Sequence, residues 1–167
     1  MGHVGSQGRD RFLAALLFAA SSPAGAQGSP RLDARSAQTI IAGCVAHSSG
    51  RRQSHAIAVV DLGGHLVASL RMDGNAFGIM EFALAKAEAS AAWGFATAQM
   101  AEGARETPGF GQAPRVVSVA GGVPVYSADG SERIGAIGVS GEAPADDAAC
   151  AEAGIAAAGL RSSPRPR

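Results

Sequence analysis

The stretch Ala58-Val-Val-Asp-Leu-Gly-Gly-His-Leu-Val-Ala-Ser-Leu-Arg-Met-Asp-Gly74 holds two short apolar runs around a Gly-Gly step. The same design returns in Ala120-Gly-Gly-Val-Pro-Val-Tyr126, followed by Ile134-Gly-Ala-Ile-Gly-Val-Ser-Gly141. Glycine reaches positive φ without a Cβ clash, so Gly-Gly and Asp-Gly clusters between β-branched runs mark chain reversals. Both segments read as antiparallel hairpins. Ala56-Ile-Ala-Val-Val60 is apolar at successive positions, which predicts a central strand covered on both faces. Pro124 cannot donate to a ladder, so its strand belongs at an edge or begins there.

Helices fill the spaces around these strands. Leu32, Ala37, Ile40, Ile41, Cys44 and Val45 recur at three- and four-residue steps, and Gly50 is placed to end that helix. Asn75 is a candidate cap for a helix from Phe77 to Trp93 with Phe77, Met80, Leu84, Ala87 and Ala91 as its buried stripe. A shorter helix from Thr97 to Arg105 follows, then a Gly- and Pro-rich loop from Glu106 to Pro114. Asp146 and Asp147 open a last Ala-rich helix to Leu160. The strands expected are His55–Asp61, His65–Met72, Arg115–Ala120, Val123–Ser127 and Arg133–Ser140. The order α-β-β-α-α-β-β-β-α therefore predicts an α/β (α+β) domain with a single five-stranded antiparallel sheet flanked by helices.

Length and composition allow one such domain. The chain has 167 residues, 47% of them apolar and 17% charged, enough for one compact core. A net charge of zero and a pI near 6.9 give no electrostatic case for nucleic acid or an acidic membrane surface. Arg9 and Arg11, the apolar run Phe12–Ala20 and the small-residue site Ala24-Gly-Ala26 have the layout of a cleavable secretory signal over residues 1–26. Its apolar run is shorter than the roughly 20 residues a membrane anchor needs. The expectation is a periplasmic or secreted domain over residues 27–160, with a disordered, proline-broken tail over 161–167. In an oxidising compartment Cys44 and Cys150, on the first and last helices, read as a disulfide pair.

Four motifs, in order, carry a resemblance: Val60-Asp-Leu-Gly-Gly64, Arg71-Met-Asp-Gly74, Gly121-Gly-Val-Pro124 and Gly135-Ala-Ile-Gly-Val-Ser-Gly141. With the Ala85-Lys86-Ala87 step of the Phe77–Trp93 helix, they resemble the haem-binding family typified by GlcG and HbpS. That family also supplies the C-terminal domain of PduO-type cobalamin adenosyltransferases. The resemblance spans Arg31 to Leu160 and implies a profilin-like or PAS-like fold, a haem ligand and a tendency to form homo-oligomers. The Ala-rich, charge-poor helices point to homo-oligomers as well. The loop from Glu106 to Pro114 departs from the more leucine- and proline-rich connection usual in the family.

Enzyme signatures are largely missing: the sequence has no Gly-x-Ser-x-Gly, His-Glu-x-x-His, Walker loop or Cys-x-x-Cys. Among candidate haem ligands, His65 follows the Gly63-Gly64 turn at an exposed hairpin end, with His47 and His55 as alternatives. Lys86 is the only lysine and has no acid three or four residues away, so it is a candidate partner for a propionate or an organic acid. Arg71 is a second candidate cation, although an ion pair with Asp73 that fixes the hairpin is the simpler reading. Phe110, between glycines, is placed either to cover a haem edge or to plug the core. Gly135 and Gly138 either admit a helix close to the sheet or form a flat wall for a ligand. The expected function is non-catalytic haem binding or sequestration outside the cytoplasm. The alternatives are a small enzyme or accessory protein of organic-acid catabolism that binds a carboxylate, and a purely structural assembly module.

Overall fold

A computed structural model of the chain describes residues 1–3 and 31–166. The expected signal segment falls mostly outside the described residues. The elements in chain order are α1 (Ala34–Ser49), β1 (Ala56–Asp61), β2 (Leu66–Arg71), α2 (Phe77–Trp93), α3 (Thr97–Glu106), a 3-10 turn (Phe110–Gln112), β3 (Gly122–Tyr126), β4 (Arg133–Ser140) and α4 (Pro144–Ala157). All strand pairs are antiparallel, in the order β2-β1-β4-β3. The sheet has four strands, one fewer than expected.

The missing strand is Arg115–Ala120. Its alternating valines suit a strand, yet the segment starts at a positive φ of 61° on Arg115, and β3 has no free donors left to pair with it. Gly122 N–H donates to Thr97 Oγ1 (2.9 Å), Pro124 has no N–H, and Tyr126 N–H donates to the Arg161 carbonyl (2.8 Å). Pro124 does sit in an edge strand, and β1 is the buried central strand that its apolar run predicts.

Two cores lie on opposite faces of the sheet. On one face α1 and α4 cover Ile57, Val59, Val125, Ile137 and Val139, with Ile40, Cys44, Cys150 and Ile155 as the helical half. The structure joins Cys44 of α1 to Cys150 of α4 by a disulfide, with Cα atoms 4.7 Å apart. On the other face α2 sets Ala83, Ala87 and Ala91 against Ala56, Ala58, Val60 and Ala136. Small residues face small residues here, so the helix lies close to the strands. A Cβ on Gly138 would sit 2.0 Å from the Ala83 carbonyl oxygen and 2.5 Å from the Ala87 nitrogen, both on α2. Of the expected stripe, Ala87 and Ala91 are buried, Met80 and Leu84 pack partly buried against this core, and Phe77 is exposed. Ala83, Lys86, Ala87, Ser90 and Ala91 are buried, and Phe77 and Phe82 turn outward.

Turn chemistry closes both hairpins. At the β1–β2 tip, Asp61 N–H donates to the His65 carbonyl (2.9 Å) and Gly64 takes a φ of 84°. At the β3–β4 tip, Asp129 accepts from Ser127 Oγ (2.7 Å) and Ser131 N–H (3.1 Å). Asn75 does not cap α2. The N-cap is Ala76, and the Asn75 amide instead donates to Ser54 Oγ (2.8 Å). The tail expected to be disordered is tied down as far as it is described. Arg161 exchanges backbone hydrogen bonds with Tyr126, and Arg165 N–H donates to the Gly130 carbonyl (3.0 Å).

Candidate functional site

The candidate residues fall at two opposite ends of the sheet. At the end formed by the start of β1 and the finish of β4, a buried polar network is centred on Asp147. Lys86 Nζ donates to Asp147 Oδ2 and to the Val139 carbonyl, each at 2.9 Å. His55 Nδ1 lies 3.1 Å from Asp147 Oδ1, which also accepts from Glu142 N–H at 3.1 Å. A carboxylate only accepts, so Nδ1 carries a proton, and the other ring nitrogen is Nε2. That Nε2 is buried without a hydrogen-bond partner.

The network takes Lys86 out of the role expected for it. The residue is 1% exposed, its charge meets Asp147, and the Phe82 ring lies over the ammonium at 4.8 Å from the ring centroid. It is a structural cation joining α2 to α4 and not an open grip for a propionate. His55 is likewise enclosed, at 0% exposure. Asp147 was legible only as a charge at a helix N-terminus. A stronger signal was available: a lone lysine between Ala83 and Ala87 on an alanine-lined helix face needs a buried acid from elsewhere in the chain.

At the opposite end, His65 stands at the β1–β2 tip with its side chain 83% exposed. Its backbone N–H donates to Asp61 Oδ1 (2.9 Å), and its ring Nδ1 lies 3.2 Å from the same oxygen. The backbone hydrogen bond, reinforced by the nearby imidazole charge, holds the Asp61 carboxyl below its usual range. A Cβ on Gly63 would approach His65 Nδ1 to 2.8 Å, so this glycine makes room for the ring. With Nδ1 held by Asp61, Nε2 is left toward solvent, flanked in sequence by Leu62 and Leu66, each 52% exposed. Asp61 also lines a cleft of about 680 Å³ in which the apolar Leu32, Leu62, Val67 and Ile134 alternate with the charged Arg31, Asp33, Glu132 and Arg133.

The other candidates are scattered. Arg71 makes no ion pair with Asp73 among the described residues, and its guanidinium donates to the Asn75 carbonyl. His47, an alternative ligand, is half-buried on α1, and its pKa is lowered by burial and by the charge of Arg51. Phe110 packs edge-on against Trp93, with centroids 5.3 Å apart, and lies on α3 where a Cβ at Gly103 would meet its ring. Gly135 and Gly138 are covered by Leu32 and by α2, so they do not form an open wall. Lys86, Gly138 and His65 cannot share one cleft. The six residues of β1 lie between the two ends, about 20 Å at about 3.3 Å per residue.

Fold and site thus define a small α+β domain with a helix-covered antiparallel sheet, an enclosed ionic network at one end and an open histidine at the other. The chain belongs to the family described as "Haem degrading protein HbpS-like", whose profile matches residues 32–156. Solved structures agree. HbpS shares 26% identity at a TM-score of 0.70, with 82% of this chain and 96% of that one covered. A double mutant of Streptomyces reticuli HbpS gives the same identity and TM-score over 86% and 97%. A PduOC:heme complex, at 22% identity and a TM-score of 0.71 over 80% and 99% of the two chains, shares the fold. No curated protein matches in sequence.

Proposed function

We propose that this chain is an exported, non-catalytic haem-binding protein that takes haem at the hairpin-tip end of the sheet. The observation that carries this reading is the His65–Asp61 pair. Ferric haem iron favours an imidazole nitrogen, and a carboxylate on the other ring nitrogen fixes the tautomer and raises the basicity of the ligand. His65 has that carboxylate, an Nε2 left toward water and two exposed leucines for the apolar macrocycle. The cleft beside Asp61 lies within the size range of small-molecule sites, and Arg31 and Arg133 in its lining are cations for a propionate. Family membership and the haem-bound fold neighbour support the same ligand.

Bound haem would supply a redox-active iron, and the chain's part is to hold it. The family's description points to haem breakdown. Controlled oxygen chemistry needs an enclosed site that excludes water, and an imidazole exposed on a hairpin tip offers none. The Cys44–Cys150 disulfide and the signal-like N-terminus support a periplasmic or secreted location.

Titrating hemin into the mature protein tests the reading. A Soret shift is expected in the wild type, with a changed spectrum and weaker binding in His65→Ala. A spectrum identical to that of free hemin would remove the haem reading, and binding unchanged in His65→Ala would reassign the ligand, with His47 next. Loss of the haem absorbance on adding ascorbate, with release of iron, would overturn the non-catalytic part.

A further inference from the structure

The sheet treats its two edges differently. Along β3 every outward donor is dealt with: Gly122 by Thr97, Pro124 by having no N–H, and Tyr126 by Arg161. Along β2 no described residue takes up the outward backbone groups, and β1 is the one strand beside it. Unpaired edges invite another strand, and proteins that keep an edge free protect it with lysine, proline or inward-pointing charge. Leu66-Val-Ala-Ser-Leu-Arg71 has none of these before its last residue, and it exposes Leu66 and Leu70.

Charge separates the two ends of this open edge. Asp61 and His65 stand before Leu66, and Arg71 closes the strand, with Asp73 beyond it in the turn. A two-fold axis through the middle of β2 reverses the strand, so a second copy presents its Arg71 beside the first copy's His65, with Asp61 one strand further in on β1, twice over. The same operation runs the apolar stretch of one strand along that of the other, and apolar neighbours across strands are favourable. The edge is complementary to itself, which makes a second copy its natural occupant.

We propose that two copies of this chain pair antiparallel along β2, which extends the sheet to eight strands and places Arg71 of each copy beside the His65–Asp61 pair of the other. The pairing stands on the strand edge alone. Its consequence for ligand binding rests on the haem reading above: the second copy's Arg71 would add a cation for a propionate next to the axial histidine, so a single copy holds an incomplete site.

Light scattering on the mature protein without hemin, at micromolar concentration, is the first test. The wild type should show an even multiple of the chain mass. Leu66→Lys with Leu70→Lys should show half the wild-type value while keeping its circular dichroism. A monomeric wild type, or a folded double variant of unchanged mass, overturns the proposal. If the double variant does not fold, Ala68→Cys and Ser69→Cys, near the strand centre, provide a second test. Oxidation should cross-link at least one of them into a dimer, and failure of both overturns the proposal. These masses are read without ligand, so a wild type that pairs along β2 but leaves hemin free sinks the haem reading and supports the pairing.

Discussion

Lys86 and Asp147 meet at 2.9 Å inside the protein and join α2, on one face of the sheet, to α4, on the other. Burying two charges is unfavourable unless each is paired and the remaining hydrogen-bonding capacity is used. Asp147 spends its oxygens on Lys86, His55 and Glu142 N–H, and Lys86 also reaches the Val139 carbonyl. The network thus ties both helices to the strand ends at Ala56 and Ser140.

Removing one partner should therefore destabilise the fold strongly. Asp147→Ala leaves a buried ammonium without its counter-ion, a change that typically costs about 3–5 kcal/mol. Lys86→Met together with Asp147→Leu should lose much less. Urea unfolding of the two variants against the wild type measures this, and a single variant as stable as the double one would show the pair to be unimportant.

Enclosure also predicts reactivity. An amine-reactive ester applied to the native protein should label the α-amino group and leave Lys86 intact, because the residue is 1% exposed under the Phe82 ring. In urea Lys86 should label fully. Peptide mass mapping reads both states, and rapid native labelling would show that the network opens to solvent.

Gly138→Ala tests whether that glycine serves packing. The new methyl carbon would fall 2.0 Å from the Ala83 carbonyl oxygen, on backbone that cannot swing aside, so α2 must lift from the sheet. Overpacking of this kind usually costs about 1–3 kcal/mol. Hemin binding per folded molecule should stay unchanged, since the residue lies under the helix and far from His65. A stable variant with altered hemin binding would return Gly138 to the list of ligand contacts.

Much of the fold was legible because its signals are local. The apolar run at Ala56–Val60 marked a central strand, Pro124 marked an edge, and α2 was read from Phe77 to Trp93, although its cap is Ala76 and not Asn75. The fifth strand failed because strand pattern is local whereas strand pairing is not. Arg115–Ala120 looks extended, but Thr97 and Arg161 had already taken the donors it needed. Lys86 was misread for the same reason. Its partner lies 61 residues away on α4, and the partner of His55 lies 92 residues away, distances at which side-chain spacing carries no information. His65 was legible as an exposed turn histidine because its partner Asp61 is only four residues back.

Exported protein should begin near Gln27 and contain a Cys44–Cys150 bridge. The structure brings the two cysteines together across 106 residues of chain, and closing such a loop typically adds about 2–4 kcal/mol. Intact mass and non-reducing peptide mapping check both points. Two alkylatable thiols in freshly exported protein would show the bridge does not form there.

The acid response of the hairpin tip follows from Asp61. Its carboxyl is held below its ordinary value, first by the His65 backbone N–H and then by the imidazole charge, so the folded protein favours the ionised form more than the unfolded chain does. A depressed carboxyl pKa stabilises the fold above the unfolded value, and that contribution is lost as pH falls through the folded one. Asp61 is partly open to water, so screening keeps the effect small. Asp61→Asn keeps the shape and removes the charge. Its urea midpoint should lie slightly below the wild type at pH 6, and the two should converge only as pH falls through the depressed carboxyl value of the folded state, below which both residues are neutral. At neutral pH the same substitution should weaken hemin binding by about 10–100-fold if Asp61 supports His65 as a ligand. Midpoints that stay parallel from pH 6 to acid would rule out the stabilising role. Unaltered hemin affinity would detach Asp61 from the binding site.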